Sequence, residues 1–321
     1  MANIFSRIRE QAELICENAR WVNIDTERLL SFADRLQVYG LPELEHTAEH
    51  HYLDHGEDTL AYFLILDSIN FGSGYFPYLK KEEGFSGYFT IANGLKKYFE
   101  QFGPPEASLL EVMNPETCAA MLGGQDVNNP HMAELMFMFS CALQELGRFV
   151  NLNYKGRYVG ILEQARSAQD VVAKLIQMPM FRDIVTYGNI EVPFLKRAQI
   201  FLQDVKLALP NHKLTELEGL DDLTIFADNV VPFVLEAEGI LKYHPWLSER
   251  IGKEELIAYG SCEEIEMRAS SIHACDVIAR IISDEYRQMS VRELDFHIWN
   301  RGQQLKSTST KKRHRTRCVY Y

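Results

Sequence analysis

A lone carboxylate, Asp228, stands in the run Leu223-Thr-Ile-Phe-Ala-Asp-Asn-Val-Val-Pro232, in the company of Ile225, Phe226, Val230 and Val231. Pro232 follows it by four residues. A proline removes the hydrogen bond to the carbonyl at i−4, and its ring collides with that carbonyl. The backbone therefore breaks at Asp228 itself, or a new helix starts at Asp228 or Asn229. A carboxylate in such a place is either a cap that accepts from free helical N–H groups or a chemical group. As a chemical group it would offset positive charge or act on a water molecule as a base.

Other residues could share a site with it. Asp67-Ser-Ile-Asn-Phe-Gly-Ser-Gly-Tyr-Phe-Pro77 sets Gly72 and Gly74 between aromatic residues. Glycine permits positive φ and close backbone approach, and aromatic faces stack on flat ligands. The same pattern also suits a tight turn that closes a core helix. Lys196 and Arg197 follow Pro193 on a helix-like stretch. A Lys-Arg pair on a helix is ordinarily solvated, but Lys196 falls in the first turn, where exposed N–H groups favour anions. Asp295 and Trp299 lie four apart, on one face of the last helix. His46, His50, His51 and His55 offer i,i+4 pairs that can hold a metal on a helix, although H-E-x-x-H is absent. A polar helix end, or one histidine facing a pocket, accounts for them equally, and no metal ligand is assigned.

These residues need a scaffold, and the periodicity is mainly helical. Apolar steps of three and four mark helices over 4–20, 131–149 and 193–207, with Pro193 in the first turn of the last of these. Ser261 with Glu264 and Ser290 with Glu293 are capping boxes that open two further helices. The first carries a stripe of Ile265, Ala269, Ile272, Cys275, Ala279 and Ile282. Strand signals are weak and confined to 154–162 and 185–192. The expected class is all-α or nearly so. We expect one compact domain over 1–302, an N-terminal cap to about residue 130 packed on a bundle from 131, followed by a basic, disordered tail over 303–321.

The 321 residues carry a formal charge of −12, yet 306–321 hold six Lys and Arg and no acid, so the body before them stands at −18. Such a body repels a nucleic-acid backbone, which leaves only the tail to touch a polyanion. No apolar run reaches the ~18 residues of a membrane span, and the N-terminus lacks an apolar signal core. The expectation is a cytoplasmic protein with no membrane partner. The six cysteines form no C-x-x-C pair and read as reduced thiols.

Five collinear segments carry a resemblance: Leu66 to Pro77, Phe194 to Ile200, Leu223 to Pro232, Gly260 to Ala269 and Leu294 to Trp299. Together they resemble the queuosine salvage protein family, the queuosine 5′-phosphate N-glycosylases, up to about residue 302. The order of turn at Gly219, short helix and Asp228 is similar to helix-hairpin-helix base-excision glycosylases. The resemblance implies a glycosylase-like helical bundle that hydrolyses queuosine 5′-monophosphate to queuine and ribose 5-phosphate, with no cofactor.

In that reading Asp228 is catalytic, and Asp295 faces the ring N1–H and exocyclic amine of the base. Trp299 covers the ring, and Phe71 or Phe226 stacks on the opposite side. Asn70 bonds a ring oxygen or a sugar hydroxyl, Asn229 contacts the base, and Lys196 takes the 5′-phosphate. Arg268 either assists Lys196 or pairs with Glu264 at i,i+4. The rival readings are a nucleic-acid base-excision glycosylase, a non-enzymatic protein that binds tRNA or a partner, and a metal-dependent hydrolase built on the histidines.

Overall fold

The computed structural model describes residues 3–39, 45–285 and 289–321. Helices carry most of them. In chain order they begin with α1 (Ile4–Glu17), β1 (Val22–Ile24), α2 (Thr26–Tyr39), α3 (Glu57–Ser68) and α4 (Gly87–Phe102). Next come α5 (Ala107–Glu111), α6 (Pro115–Met121), α7 (Pro130–Tyr154), α8 (Gly160–Glu163) and α9 (Ala168–Leu175). The hairpin of β2 (Ile184–Tyr187) and β3 (Ile190–Pro193) leads into α10 (Lys196–Ala208). The chain closes with α11 (Val230–Ala237), β4 (Leu241–Tyr243), α12 (Pro245–Gly252), α13 (Cys262–Glu285) and α14 (Val291–Thr308).

The chain divides into two compact units, each assembled from separated stretches. The first takes Met1–Leu44, Asp183–Lys196 and Asp221–Arg317; the second takes Glu45–Arg182, Arg197–Leu220 and Cys318–Tyr321. The boundary expected near residue 130 falls inside the second unit. Hydrophobic periodicity reports which face of a helix is buried and says nothing of which distant helix buries it, so an interleaved division leaves no mark in the sequence.

In the first unit α13 is the axis, packed against α1, α2, α11 and α14. Its predicted stripe is buried, and Met267, Ala274 and Ile278 are buried as well. A helix apolar on more than one side belongs in the middle. The buried Glu266 carboxylate accepts the N–H groups of Arg20, Trp21 and Val22 at 3.0, 2.6 and 3.1 Å, and the Tyr187 hydroxyl at 2.8 Å. One side chain thereby ties the α1–β1 turn and the β2–β3 hairpin to α13. β1 pairs antiparallel with β4, and β2 with β3 in the register Val185↔Val192.

In the second unit α7 is the axis, against α3, α5, α6 and α8. Its Gly147 has no alternative: a Cβ there would meet the Ala107 carbonyl oxygen at 2.5 Å and the Glu111 nitrogen at 2.7 Å.

Several expectations are corrected. Residues 154–162 hold the last residue of α7, a turn and the start of α8, not a strand, because the left-handed Lys155 and Gly156 (φ +54° and +80°) reverse the chain there. Pro193 ends β3, and the helix opens three residues later, at Lys196. The Lys196-Arg197 pair is buried rather than solvated. The tail is ordered: α14 runs to Thr308, and His314 and Thr316 are fully enclosed. Its cations are matched locally. Lys311 Nζ meets Glu236 Oε1 at 2.7 Å, and Arg313 donates to the Gly302 carbonyl at 2.7 Å while lying over the Phe233 ring. The backbone at Arg315 bridges in parallel to Leu256, and Thr316 Oγ1 donates to the Ile257 carbonyl at 3.0 Å. A run of like charges is disordered only while it lacks partners and apolar neighbours; this one has both.

Candidate active site

The loop Leu223–Asn229 enters α11 along a backbone held by side chains from three helices. Arg9 on α1 donates to the Leu223 carbonyl at 3.1 Å, and its Nε bonds Asp276 on α13 at 2.6 Å. Asp295 on α14 accepts the Phe226 N–H at 2.9 Å. Arg268 on α13 donates through Nε to the Ala227 carbonyl at 2.9 Å. A loop with no ladder of its own must satisfy its buried polar groups in this way. Asn229 completes the set, its amide donating to the His314 carbonyl at 3.3 Å.

Asp228 sits half-buried at the end of this loop. Its Oδ1 accepts the N–H groups of Val230 and Val231 at 2.6 and 3.2 Å, so it caps α11. Pro232 then lies in the first turn, where a missing N–H costs little. The cap reading is realised with one oxygen, and the second accepts no hydrogen bond from a described residue. Two backbone donors at the helix N-terminus fix the carboxylate's orientation.

Asp295 is buried within the same unit. Burial pushes its carboxyl up to about 7; the Asp228 charge adds to the rise, while the Phe226 N–H and the Lys196 ammonium oppose it. Asp295 therefore senses both Asp228 and Lys196. The Arg313 guanidinium also senses Asp228, whose charge counters the effect of burial on it.

The sign of the resulting pH effect is definite. A carboxyl raised in the folded state binds its proton more tightly there, so stability falls as pH rises. The contribution is whole below about 4 and lost by about 7. In Asp295→Asn, whose Oδ1 still accepts the Phe226 N–H, unfolding free energy should gain on the wild type between pH 4 and 7 and level off above that. Urea unfolding at pH 4, 5.5, 7 and 8 measures it, and parallel profiles would contradict it.

Lys196 is buried at the first position of α10 and belongs to the first unit. The preceding Leu195 has φ +52°, a strained left-handed conformation for a leucine. Its N–H donates to the Asp183 carbonyl at 3.3 Å. Asp183, which sequence reasoning passed over, is buried and forks onto Arg268, with Oδ2 to Nη2 at 2.5 Å and Oδ1 to Nη1 at 3.2 Å. Tyr259 donates to the same Oδ1 at 3.0 Å. The expected i,i+4 pair of Arg268 with Glu264 is present at 3.4 Å, and the guanidinium lies 4.0 Å from the Phe194 ring centroid. A lone aspartate before a weak strand gives no signal by itself.

The first unit thus brings together Lys196, Phe226, Asp228, Asn229 and Asp295, with Trp299 half-buried one turn beyond Asp295 on α14. Asn70 and Phe71 belong to the second unit. There Asn70 Nδ2 donates to Asp67 Oδ1 at 3.2 Å. Phe71 is buried edge-on to Phe139, with the Arg197 guanidinium over its ring. Arg197 also donates to the Asp67 and Ser68 carbonyls at the end of α3, a favourable place for a cation. Gly72 takes φ +88° and donates to the Tyr321 carbonyl at 3.0 Å; a Cβ there would strike Leu135 at 2.4 Å. The tight-turn reading of this stretch is realised, and the final residues serve as part of its packing.

The histidines form an aromatic cluster in the second unit. His46 stacks on Phe63 and His55 on Tyr52, His50 lies tilted against Phe89, and His51 Nε2 meets the Tyr88 hydroxyl at 3.1 Å. Burial lowers His46 to about 4 and His51 to about 3, which keeps both neutral. Among the described residues no three His, Cys, Asp or Glu side chains converge as a metal site, and no helix is long and apolar enough to cross a membrane.

A family model described as queuosine salvage protein matches residues 50–321. The chain belongs to this family. A relative from Sphaerobacter thermophilus, called queuosine 5′-phosphate N-glycosylase/hydrolase, is 31% identical over 315 residues, covering 96% of this chain and 95% of the relative. A Dictyostelium discoideum protein of the same name is 28% identical over 270 residues, 83% of this chain and 79% of its own. A Mus musculus protein, again of that name, is 24% identical and aligned over 98% of both chains. The family match runs through residue 321, so the basic segment lies inside the family pattern rather than beyond it.

Proposed function

We propose that this protein is a cytoplasmic N-glycosyl hydrolase that cleaves queuosine 5′-monophosphate into queuine and ribose 5-phosphate, supplying queuine for return to tRNA. The observation that carries the reading is the grouping of Asp228, Asp295 and Lys196 within one unit of a chain of this family. The relatives from Sphaerobacter thermophilus, Dictyostelium discoideum and Mus musculus are named for this activity.

Cleaving a ribosyl C–N bond builds positive charge at C1′. Asp228, oriented by the Val230 and Val231 N–H groups, would offset that charge with its second oxygen and draw a proton from the attacking water. The water oxygen bonds to C1′ as the C1′–N bond breaks, the electron pair leaves with the base, and the proton taken by Asp228 passes through solvent to that base nitrogen, which restores the carboxylate. A 7-deazapurine has no N7 to protonate, so the base must be steadied through its other edge. Asp295 is suited to this: near neutrality its carboxyl exists in both forms, able to accept from the ring N1–H and exocyclic amine and to pass a proton. Phe226, Asn229 and Trp299 would line the ring. Lys196, at the N-terminus of α10, would hold the 5′-phosphate. No cofactor is required.

We further place the fold beside the helix-hairpin-helix glycosylases, on the left-handed Gly219 turn (φ +75°), the short 3-10 turn Leu220–Asp222 and the aspartate ahead of α11. A nucleic-acid substrate is disfavoured by the acidic body and by the pairing of Lys311 and the packing of Arg313 within the fold.

Incubation of the pure protein with queuosine 5′-monophosphate should release queuine, detected by mass. Release from a modified oligonucleotide but not from the mononucleotide would replace this reading with the base-excision one. Lys196→Ala should raise KM for the nucleotide by about tenfold or more, since a charge-assisted contact contributes ~1.5–3 kcal/mol, and leave the nucleoside little affected. Equal effects on both substrates would remove Lys196 from the phosphate.

A further inference from the structure

We propose that the buried Arg268–Asp183 pair is a positioning device that sets the spacing between the carboxylate acting at C1′ and the cation acting at the 5′-phosphate. The inference rests on the functional reading above and deepens it.

Both active ends of the site are anchored to this one pair through the residue that precedes them. Arg268 Nε holds the carbonyl of Ala227, which belongs to the peptide leading directly into Asp228. The Asp183 carbonyl holds the N–H of Leu195, the residue before Lys196. Between the two anchors runs the planar fork of guanidinium and carboxylate, with contacts of 2.5 and 3.2 Å. Every part of the linkage is fixed from the side: Glu264 at 3.4 Å, the Tyr259 hydroxyl at 3.0 Å on Asp183, and the Phe194 ring 4.0 Å from the guanidinium. Arg268 and Asp183 are themselves almost wholly enclosed. Neither needs to touch substrate; each acts on the residues that do.

The strain at Leu195 supports the same conclusion. A left-handed leucine persists only where its surroundings impose it, and its N–H is tied to Asp183. The conformation turns the chain from the end of β3 into α10, with Lys196 as the first helical residue. A ribose 5-phosphate offers a bounded distance between C1′ and the phosphate, so a site that grips both ends gains only if its own two ends stand at a fixed distance. A rigid, bidentate pair supplies such a ruler. Lysine at 268 could not: an ammonium is a point charge and cannot form the fork and reach the Ala227 carbonyl in one plane.

The test compares two substrates on folded protein. Wild type and Arg268→Lys are assayed for kcat/KM with queuosine 5′-monophosphate and with the nucleoside queuosine, after circular dichroism and thermal unfolding confirm a folded state. A misplacement of ~1 Å can cost ~10²-fold in rate. The nucleotide, held at both ends, should therefore suffer more than the nucleoside, and the ratio of the two kcat/KM values should fall about tenfold or more. A variant that merely lost folded protein would scale both substrates alike. Tyr259→Phe, which only removes the hydroxyl on Asp183, should lower the same ratio by a smaller factor and serves where Arg268→Lys does not fold. A ratio unchanged in the folded variants overturns the inference. A wild-type protein that hydrolyses neither substrate overturns the functional reading instead, so the two failures are distinct.

Discussion

Asp228→Asn should lower kcat for queuosine 5′-monophosphate by about 10³-fold, with KM changed no more than a few-fold. The amide keeps an oxygen where Oδ1 now accepts the Val230 and Val231 N–H groups, so the cap on α11 and the loop conformation persist. What disappears is the charge, and with it both the offset of the C1′ cation and the base that takes the water's proton. Loss of one preorganised electrostatic partner in a catalytic site costs about 10²–10³ in kcat, and loss of the base adds to that. Because the effect lies in the transition state, kcat and kcat/KM should fall together. Single-turnover assays with a mass readout of queuine would measure it. A variant that still turns over within threefold of wild type would take the chemistry away from Asp228 and leave it as a helix cap alone.

The second large effect concerns stability. Arg268→Met leaves Asp183 and Glu264 enclosed without their cation and the Ala227 carbonyl without its donor. Removing one partner of a buried ion pair costs ~3–5 kcal/mol, mainly from the charge left behind. Urea unfolding followed by circular dichroism should show a loss of this order. The double variant Arg268→Met/Asp183→Leu should recover the part due to Asp183, since it removes that buried charge, while Glu264 and the Ala227 carbonyl stay without their donor. A single variant within about 1 kcal/mol of wild type would contradict the burial of the pair. The double variant has a further use. If it is stable but slow, the pair is retained for positioning rather than for folding.

Much of the helical framework was legible. The stripe from Ile265 to Ile282 and the apolar steps of α1 and α7 are local patterns realised within a few residues, and at Ser261–Glu264 the Ser261 hydroxyl accepts the Glu264 N–H while Glu264 reaches back to the Gly260 N–H. The Ser290–Glu293 box forms with both of its reciprocal bonds. Over 185–192 the sequence showed only a weak strand signal, and the structure folds that run into a hairpin that pairs Val185 with Val192. β1 and β4 were not legible: three residues each, they exist only because Val22 and Tyr243 meet across more than two hundred positions of chain. The tail misled for a related reason. Six cations without an acid read as a solvated run, and their partners, among them Glu236 and the carbonyl of Gly302, are distant in sequence or hidden in backbone.

The sequence by itself determined that the chain is helical, that Asp228 stands at a backbone break or a helix start set by Pro232, and that five separated segments share one family's pattern. Those are properties of neighbours, set by side-chain period, capping and the missing N–H of proline. Only the tertiary structure decided that Asp228, Asp295 and Lys196 belong to one unit, that Asp183 is the partner of Arg268, and that the last residues are packed rather than free. Desolvation and ion pairing depend on distance in space, and a pair such as Asp183 and Arg268, eighty-five positions apart, acquires its energy only when folding excludes the water between them.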